Sequence, residues 1–155
     1  MQGYLGKPDL TAQVIRAGWY EMGDIAQIDA EGFIAIVDRL SRFSKIGGEM
    51  VPHLKIEEAL ARILGAEEET HAVVIALPDK KKGEQLIVVH EPISQTLEQI
   101  CNELVRSGMP NLRIPSQDSF VEVDQIPLLG TGKPDLRKLK TMASVRFEQS
   151  PPTKR

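Results

Sequence analysis

From residue 24 onward the apolar positions fall into a regular order. In "DIAQIDAEGFIAIVDR" Ile25, Gln27 and Asp29 alternate with their neighbours, "AEG" makes a turn, and Phe33 to Val37 is apolar and β-prone. That pattern predicts a hairpin over residues 24–39. "FSKIGGEMV" predicts a second, shorter hairpin that turns at Gly47-Gly48. After Pro52, the residues Leu54, Ile56, Leu60 and Ile63/Leu64 mark one face of a helix that Gly65 ends. "THAVVIALPD" reads as an apolar strand ended by Pro78, "KKKGE" as a loop and "QLIVVHE" as the next strand. In "SQTLEQICNELVRSG" Leu97, Ile100, Cys101 and Leu104 share a helical face, with Ser94 as N-cap and Gly108 as the stop. "DSFVEVDQIP" predicts a third strand, and Pro134 stands at the first turn of a terminal helix, "DLRKLKTMASVRF".

Residues 41–147 therefore read as a small α+β domain: a short hairpin plus a three-stranded sheet flanked by helices. Residues 1–40 begin with "MQGYLGKPDLTAQVIRAGWYEMGD", which has turns but no clear periodicity, and read as the edge of something larger. Residues 148–155 are expected to form a disordered tail.

Composition removes some classes of function. Hydrophobic residues are 41% and charged residues 26% of 155, ordinary for a globular chain. Nineteen Lys and Arg against 22 Asp and Glu leave a net charge of −3, which argues against a dedicated nucleic-acid binder. Cys101 is the only cysteine, so no intramolecular disulfide forms and a reducing cytosolic setting fits. Its place on an apolar stripe reads as buried core. No apolar stretch approaches the ~20 residues needed to span a bilayer, and the start does not read as a signal peptide. His53, His71 and His90 lack the partners and spacing of a zinc site.

Three stretches carry candidate chemistry. The first is "GTGKPD". It is not a G-x-x-x-x-G-K-[ST] phosphate loop, because Pro127 and Pro134 occupy the positions of its first glycine and its hydroxyl. Lys133 is then either a cation on a mobile loop, suited to an anionic group that changes during reaction, or a solvated surface lysine. The second is the pair Asp24 and Arg39, at opposite ends of one predicted hairpin. A carboxylate beside a guanidinium binds a vicinal diol, or simply closes the hairpin as an ion pair. The third is "RFSKIGGEMV", where Gly48 permits a close approach to the backbone or only a tight turn.

Taken in order, "GWYEMGD", "DR", "KIGG" and "GTGKPD" closely resemble the C-terminal end of the adenylate-forming superfamily, whose patterns run G-W-Y-x-T-G-D, G-R, K-x-x-G and a final G-K. The resemblance runs from about Met1 to Lys140. Within it, "RFSKIGGEMV" and "PLLGTGKPD" are most similar to the bacterial bifunctional 2-acylglycerophosphoethanolamine acyltransferase/acyl-[acyl-carrier-protein] synthetases. The resemblance implies a lid domain preceded by the distal edge of a large adenylation domain. It implies adenylation of a fatty acid by ATP with Mg²⁺, then thioester formation on acyl carrier protein or coenzyme A. Carried over by position, Asp24 and Arg39 would hold the ribose hydroxyls. Lys133 would serve adenylation, Ser41 would be the hinge, and Lys45 and Gly48 would face the thioester step. Arg42, Lys45 and Lys80 to Lys82 would form a docking patch for the carrier protein.

The departures are Met22 for threonine, Asp38 for the glycine before Arg39, and Ser41 for the usual acidic or lysine hinge residue. The family's phosphate loop and acyl pocket lie upstream of anything in this chain. The resemblance thus implies a fragment, inactive alone, of an enzyme on the cytoplasmic side that has no nucleic-acid partner and whose parent sits at the bacterial inner membrane. The alternatives are a coenzyme A ligase of another substrate class and a self-standing binding module.

Overall fold

In the computed structural model, which describes residues 1–66 and 70–149, the chain divides into two units, Met1–Ser41 and a second that begins at Arg42. The first starts with a short helix, α1 (Pro8–Val14), and a two-residue ribbon of β1 (Ile15–Arg16) and β2 (Trp19–Tyr20). It then forms the expected hairpin from β3 (Asp24–Ile28) and β4 (Ile34–Arg39). Asp29 builds the turn: its Oδ1 accepts from the N–H groups of Glu31 and Phe33, both at 2.9 Å. Ile28, Phe33, Ile34, Ile36 and Val37 remain exposed on this hairpin.

The second unit is organised around one five-stranded sheet. β5 (Phe43–Ile46) and β6 (Glu49–Pro52) turn at Gly47 and Gly48, whose φ values of 57° and 93° lie in the left-handed region that favours glycine. β7 (Ala72–Asp79) and β8 (Gly83–His90) pair along their whole length. The hairpin of β5 and β6 is joined to them through the pairing of Ile46 with Gly83, and β9 (Phe120–Glu122) runs parallel to the other end of β8. Strand order is thus β6-β5-β8-β7, with β9 also on β8.

Both faces of this sheet are covered. Val74 and Val88 face a cluster with Ile56 and Leu60 of α2 (His53–Leu64) and Ile100 and Leu104 of α3 (Leu97–Arg106). Val73, Ile75, Ile87 and Val89 face Leu139 and Ala143 of α4 (Leu136–Gln149). Burial on both sides is why "AVVIAL" reads as an unbroken apolar run rather than an alternation. Each fully buried aliphatic side chain stabilises the fold by about 1.5–3 kcal/mol.

Several expectations need correction. Pro78 does not end its strand: it lies within β7 opposite Glu84, which an edge strand tolerates because its outward side needs no donor. Leu54 does not belong to the core face of α2, being 39% exposed, and Ala59 takes the buried place. Ser94 is not the N-cap of α3. Thr96 is, in a reciprocal box with Gln99. Cys101 is half-buried rather than core, and burial pushes its thiol up. Pro134 precedes the terminal helix, and Asp135 caps it by accepting from the N–H groups of Arg137 and Lys138. That helix runs to Gln149, and residues 150–155 of the expected tail lie outside the described residues. Among the described residues no helix is long and apolar enough to cross a membrane.

Candidate functional site

Asp24 and Arg39 are register partners in the hairpin of β3 and β4, and Arg39 Nε lies 2.7 Å from Asp24 Oδ1. The two ends of this pair differ. The Asp24 side chain is 11% exposed and the Arg39 side chain 64%. Asp24 Oδ1 is shut off from solvent, yet among the described residues no hydrogen bond is directed at it, the guanidinium contact being an ion pair only. Ser41 lies just beyond, exposed in a 3₁₀ turn over Leu40–Arg42, and is the last residue of the first unit.

Lys45 and Gly48 share the hairpin of β5 and β6. Lys45 is exposed, and its backbone N–H donates to Glu84 Oε2 at 2.6 Å. Gly47 N–H donates to Lys82 O, which ties this turn to the one joining β7 and β8. A methyl group added at Gly48 would meet nothing within 4 Å, so the glycine answers to φ and not to crowding by this chain.

Lys133 sits on a turn of its own. Leu128 pairs with Pro134, Leu129 N–H donates to Lys133 O at 2.8 Å, and Gly132 N–H donates to Leu129 O at 2.9 Å. Gly132 takes φ of 78°, which lets the chain reverse directly before the lysine. The ammonium forms no ion pair or hydrogen bond among the described residues. The turn borders a pocket of about 360 Å³ lined also by Arg42, Glu57, Thr70, Val73 and Leu129.

Arg42, assigned above to a docking patch, is otherwise engaged. Its guanidinium pairs with the Glu57 carboxylate and reaches Val74 O at 3.4 Å, while Glu57 Oε1 accepts from Val74 N–H at 2.6 Å. This pair is mostly buried, so its charge is spent holding α2 to β7. Nothing in "IEEAL" separates Glu57 from a solvated helical glutamate, so sequence reading missed it. Glu91 was missed for the same reason. It accepts from Ile126 N–H and from His71, and these bonds hold its carboxyl below the usual range, the first contributing most. Among the described residues no group of three His, Cys, Asp or Glu side chains is placed to hold a metal ion.

No family model matches the chain. It is 33% identical over 135 residues to a feruloyl-CoA synthase of an Amycolatopsis species, covering 86% of this chain and 26% of that one. It is 32% identical over 134 residues to a long-chain-fatty-acid–CoA ligase of Thermus thermophilus, covering 84% of this chain and 24% of that one. Among solved structures, a fatty acyl CoA synthetase of Mycobacterium tuberculosis matches with a TM-score of 0.61 and 27% identity, covering 94% of this chain and 28% of that one. The chain spans about a quarter of the length of the curated relatives it matches.

Proposed function

We propose that the chain is the C-terminal part of an ATP-dependent acid–thiol ligase of the adenylate-forming kind, a reading supported by its similarity to the CoA ligases named above. The observation that carries this reading is Lys133, a cation without a partner among the described residues, presented directly after a hydrogen-bonded turn. The parent enzyme joins a carboxylate to the α-phosphate of ATP and releases pyrophosphate. It then passes the acyl group to a thiol and releases AMP. Negative charge builds on the pentavalent phosphorus centre in the first step, and a positioned ammonium lowers that barrier.

Asp24 and Arg39 hold the ribose hydroxyls. The acceptor capacity left on Asp24 Oδ1 suits a hydroxyl proton, and the exposed Arg39 is free to shift to admit it. Ser41 is the hinge, a role supported by the boundary between units that falls directly after it. Rotation about it withdraws Lys133 and brings in the turn of β5 and β6, where Gly48 leaves room for the thiol and Lys45 lies nearby. Mg²⁺ would accompany ATP and neutralise its phosphates, and it would be held mainly by the large adenylation domain that the resemblance implies.

The relatives named above carry coenzyme A in their names, which supports coenzyme A as the thiol. A fatty acid is supported by the Thermus ligase. Acyl carrier protein, with onward transfer to a lysophospholipid, is the second reading, and it rests on "RFSKIGGEMV" and "PLLGTGKPD".

The deciding experiment uses the parent enzyme with Lys133→Ala and hexadecanoate as the acid. ATP–pyrophosphate exchange is expected to fall by about 10²–10³-fold, while thioester formation from supplied hexadecanoyl-AMP holds near the wild-type rate. If both steps persist, the reading fails. Competition between coenzyme A and holo carrier protein then identifies the acceptor.

A further inference from the structure

The turn that carries Lys133 is a poor structure by itself. Pro127 and Pro134 supply no N–H, so its two arms exchange few hydrogen bonds: Asp135 N–H to Pro127 O at 2.8 Å and Leu129 N–H to Lys133 O at 2.8 Å, with Gly132 N–H to Leu129 O at 2.9 Å closing the turn between them. Two-stranded ladders this short do not hold their shape in water. The position of the lysine therefore depends on how the feet of the ladder are fixed.

One foot is α4, capped by Asp135 and seated through the buried Leu139. The other is Ile126, also buried. Its N–H has left the sheet by then and would be an orphan donor, at a cost of about 1–3 kcal/mol. It donates instead to Glu91 Oε1 at 2.9 Å. Glu91 is itself held from three directions. Its Oε2 lies 2.8 Å from His71 Nδ1, its N–H donates to His71 O at 2.9 Å, and its carbonyl oxygen lies 2.8 Å from His90 Nδ1. The carboxylate thus has a fixed direction and receives the foot of the ladder at one point.

We propose that Glu91 is a positioning residue for the adenylation lysine, anchoring the ladder that presents Lys133 through the N–H of Ile126. This rests on the reading of Lys133 given above. Glu91 touches neither nucleotide nor acid. It acts by keeping the ammonium where charge develops, and a misplacement of about 1 Å costs up to roughly 10²-fold in rate.

The test resolves the two half-reactions in the parent enzyme, again with hexadecanoate. Glu91→Ala is expected to lower pyrophosphate exchange by roughly 10- to 10²-fold and to leave thioester formation from hexadecanoyl-AMP unchanged. Glu91→Gln is expected to restore exchange, because its amide oxygen still accepts from Ile126 N–H. In a Lys133→Ala background, Glu91→Ala is expected to lower exchange no further. The proposal is overturned if exchange is unaffected, if both half-reactions decline together, or if the two losses multiply. Should Glu91→Ala not accumulate as folded enzyme, Glu91→Asp replaces it, its carboxylate drawn back by one methylene, with the same expected and overturning results. A Lys133→Ala enzyme that keeps its exchange sinks the functional reading. Exchange lost in Lys133→Ala but kept in Glu91→Ala sinks only the anchoring role.

Discussion

His53 Nε2 lies 2.5 Å from Ser44 Oγ, and both side chains are buried. Burial, reinforced by the charges of Arg42 and Lys140, lowers the His53 pKa to about 4. The folded state thus holds a neutral imidazole where the unfolded chain, at about 6.5, would take up a proton. The contribution is complete above pH about 6.5 and is lost as pH falls from there to about 4. Its full size is on the order of 3 kcal/mol. Urea midpoints measured across this range should fall with acidification, and His53→Gln should flatten the dependence. An unchanged slope in the variant would remove His53 as the cause.

The cap of α3 gives a sharper contrast. Thr96→Ala should cost about 1 kcal/mol of unfolding free energy, because Gln99 N–H loses its acceptor. Ser94→Ala, two residues earlier, should stay within about 0.5 kcal/mol of wild type. Equal losses at the two positions would contradict the capping geometry.

Core and surface leucines should separate in the same way. Leu104 is fully buried, and Leu104→Ala should cost about 2–5 kcal/mol. Leu54 has the same side chain at a helical position that sequence periodicity places inside. Its substitution by alanine should cost under about 1 kcal/mol, since much of its surface already meets water. Chemical denaturation of both variants checks this.

In the parent enzyme, Asp24→Asn should raise the KM for ATP by roughly 10- to 10²-fold, the equivalent of about 1.5–3 kcal/mol for a charged hydrogen-bond acceptor. The effect belongs to nucleotide binding, so it should weaken AMP binding measured by calorimetry as well. A variant that binds AMP as wild type would leave Asp24 and Arg39 as a hairpin ion pair only.

Gly48→Ala places a side chain at φ of 93°, outside the range that L residues favour. A loss of about 1–2 kcal/mol in stability is expected from backbone strain. In the parent enzyme the thioester step should fall more than pyrophosphate exchange does, because no atom of this chain crowds the position and an incoming thiol would. Equal losses in both half-reactions would reduce Gly48 to a turn residue.

The sequence by itself determined the local devices. Gly47-Gly48 and "AEG" mark turns, the spacing of Ile56 with Leu60 and of Ile100 with Leu104 marks helical faces, and β-branched runs mark strands. Asp24 and Arg39 could be matched because a single hairpin joins them. These are short-range effects: burial imposes a period of 3.6 or 2 on neighbouring residues, and that period is written in the chain.

Only the tertiary structure decided which distant groups meet. Pro78 stays in its strand because β7 lies at the edge of the sheet, and Leu54 is exposed because α3 and the sheet cover the other side of α2. Arg42 meets Glu57 across 15 residues, and Glu91 meets Ile126 across 35. Whether a carboxylate faces water or a buried N–H depends on strand order and helix placement, and a charged residue in a sequence carries no mark of either.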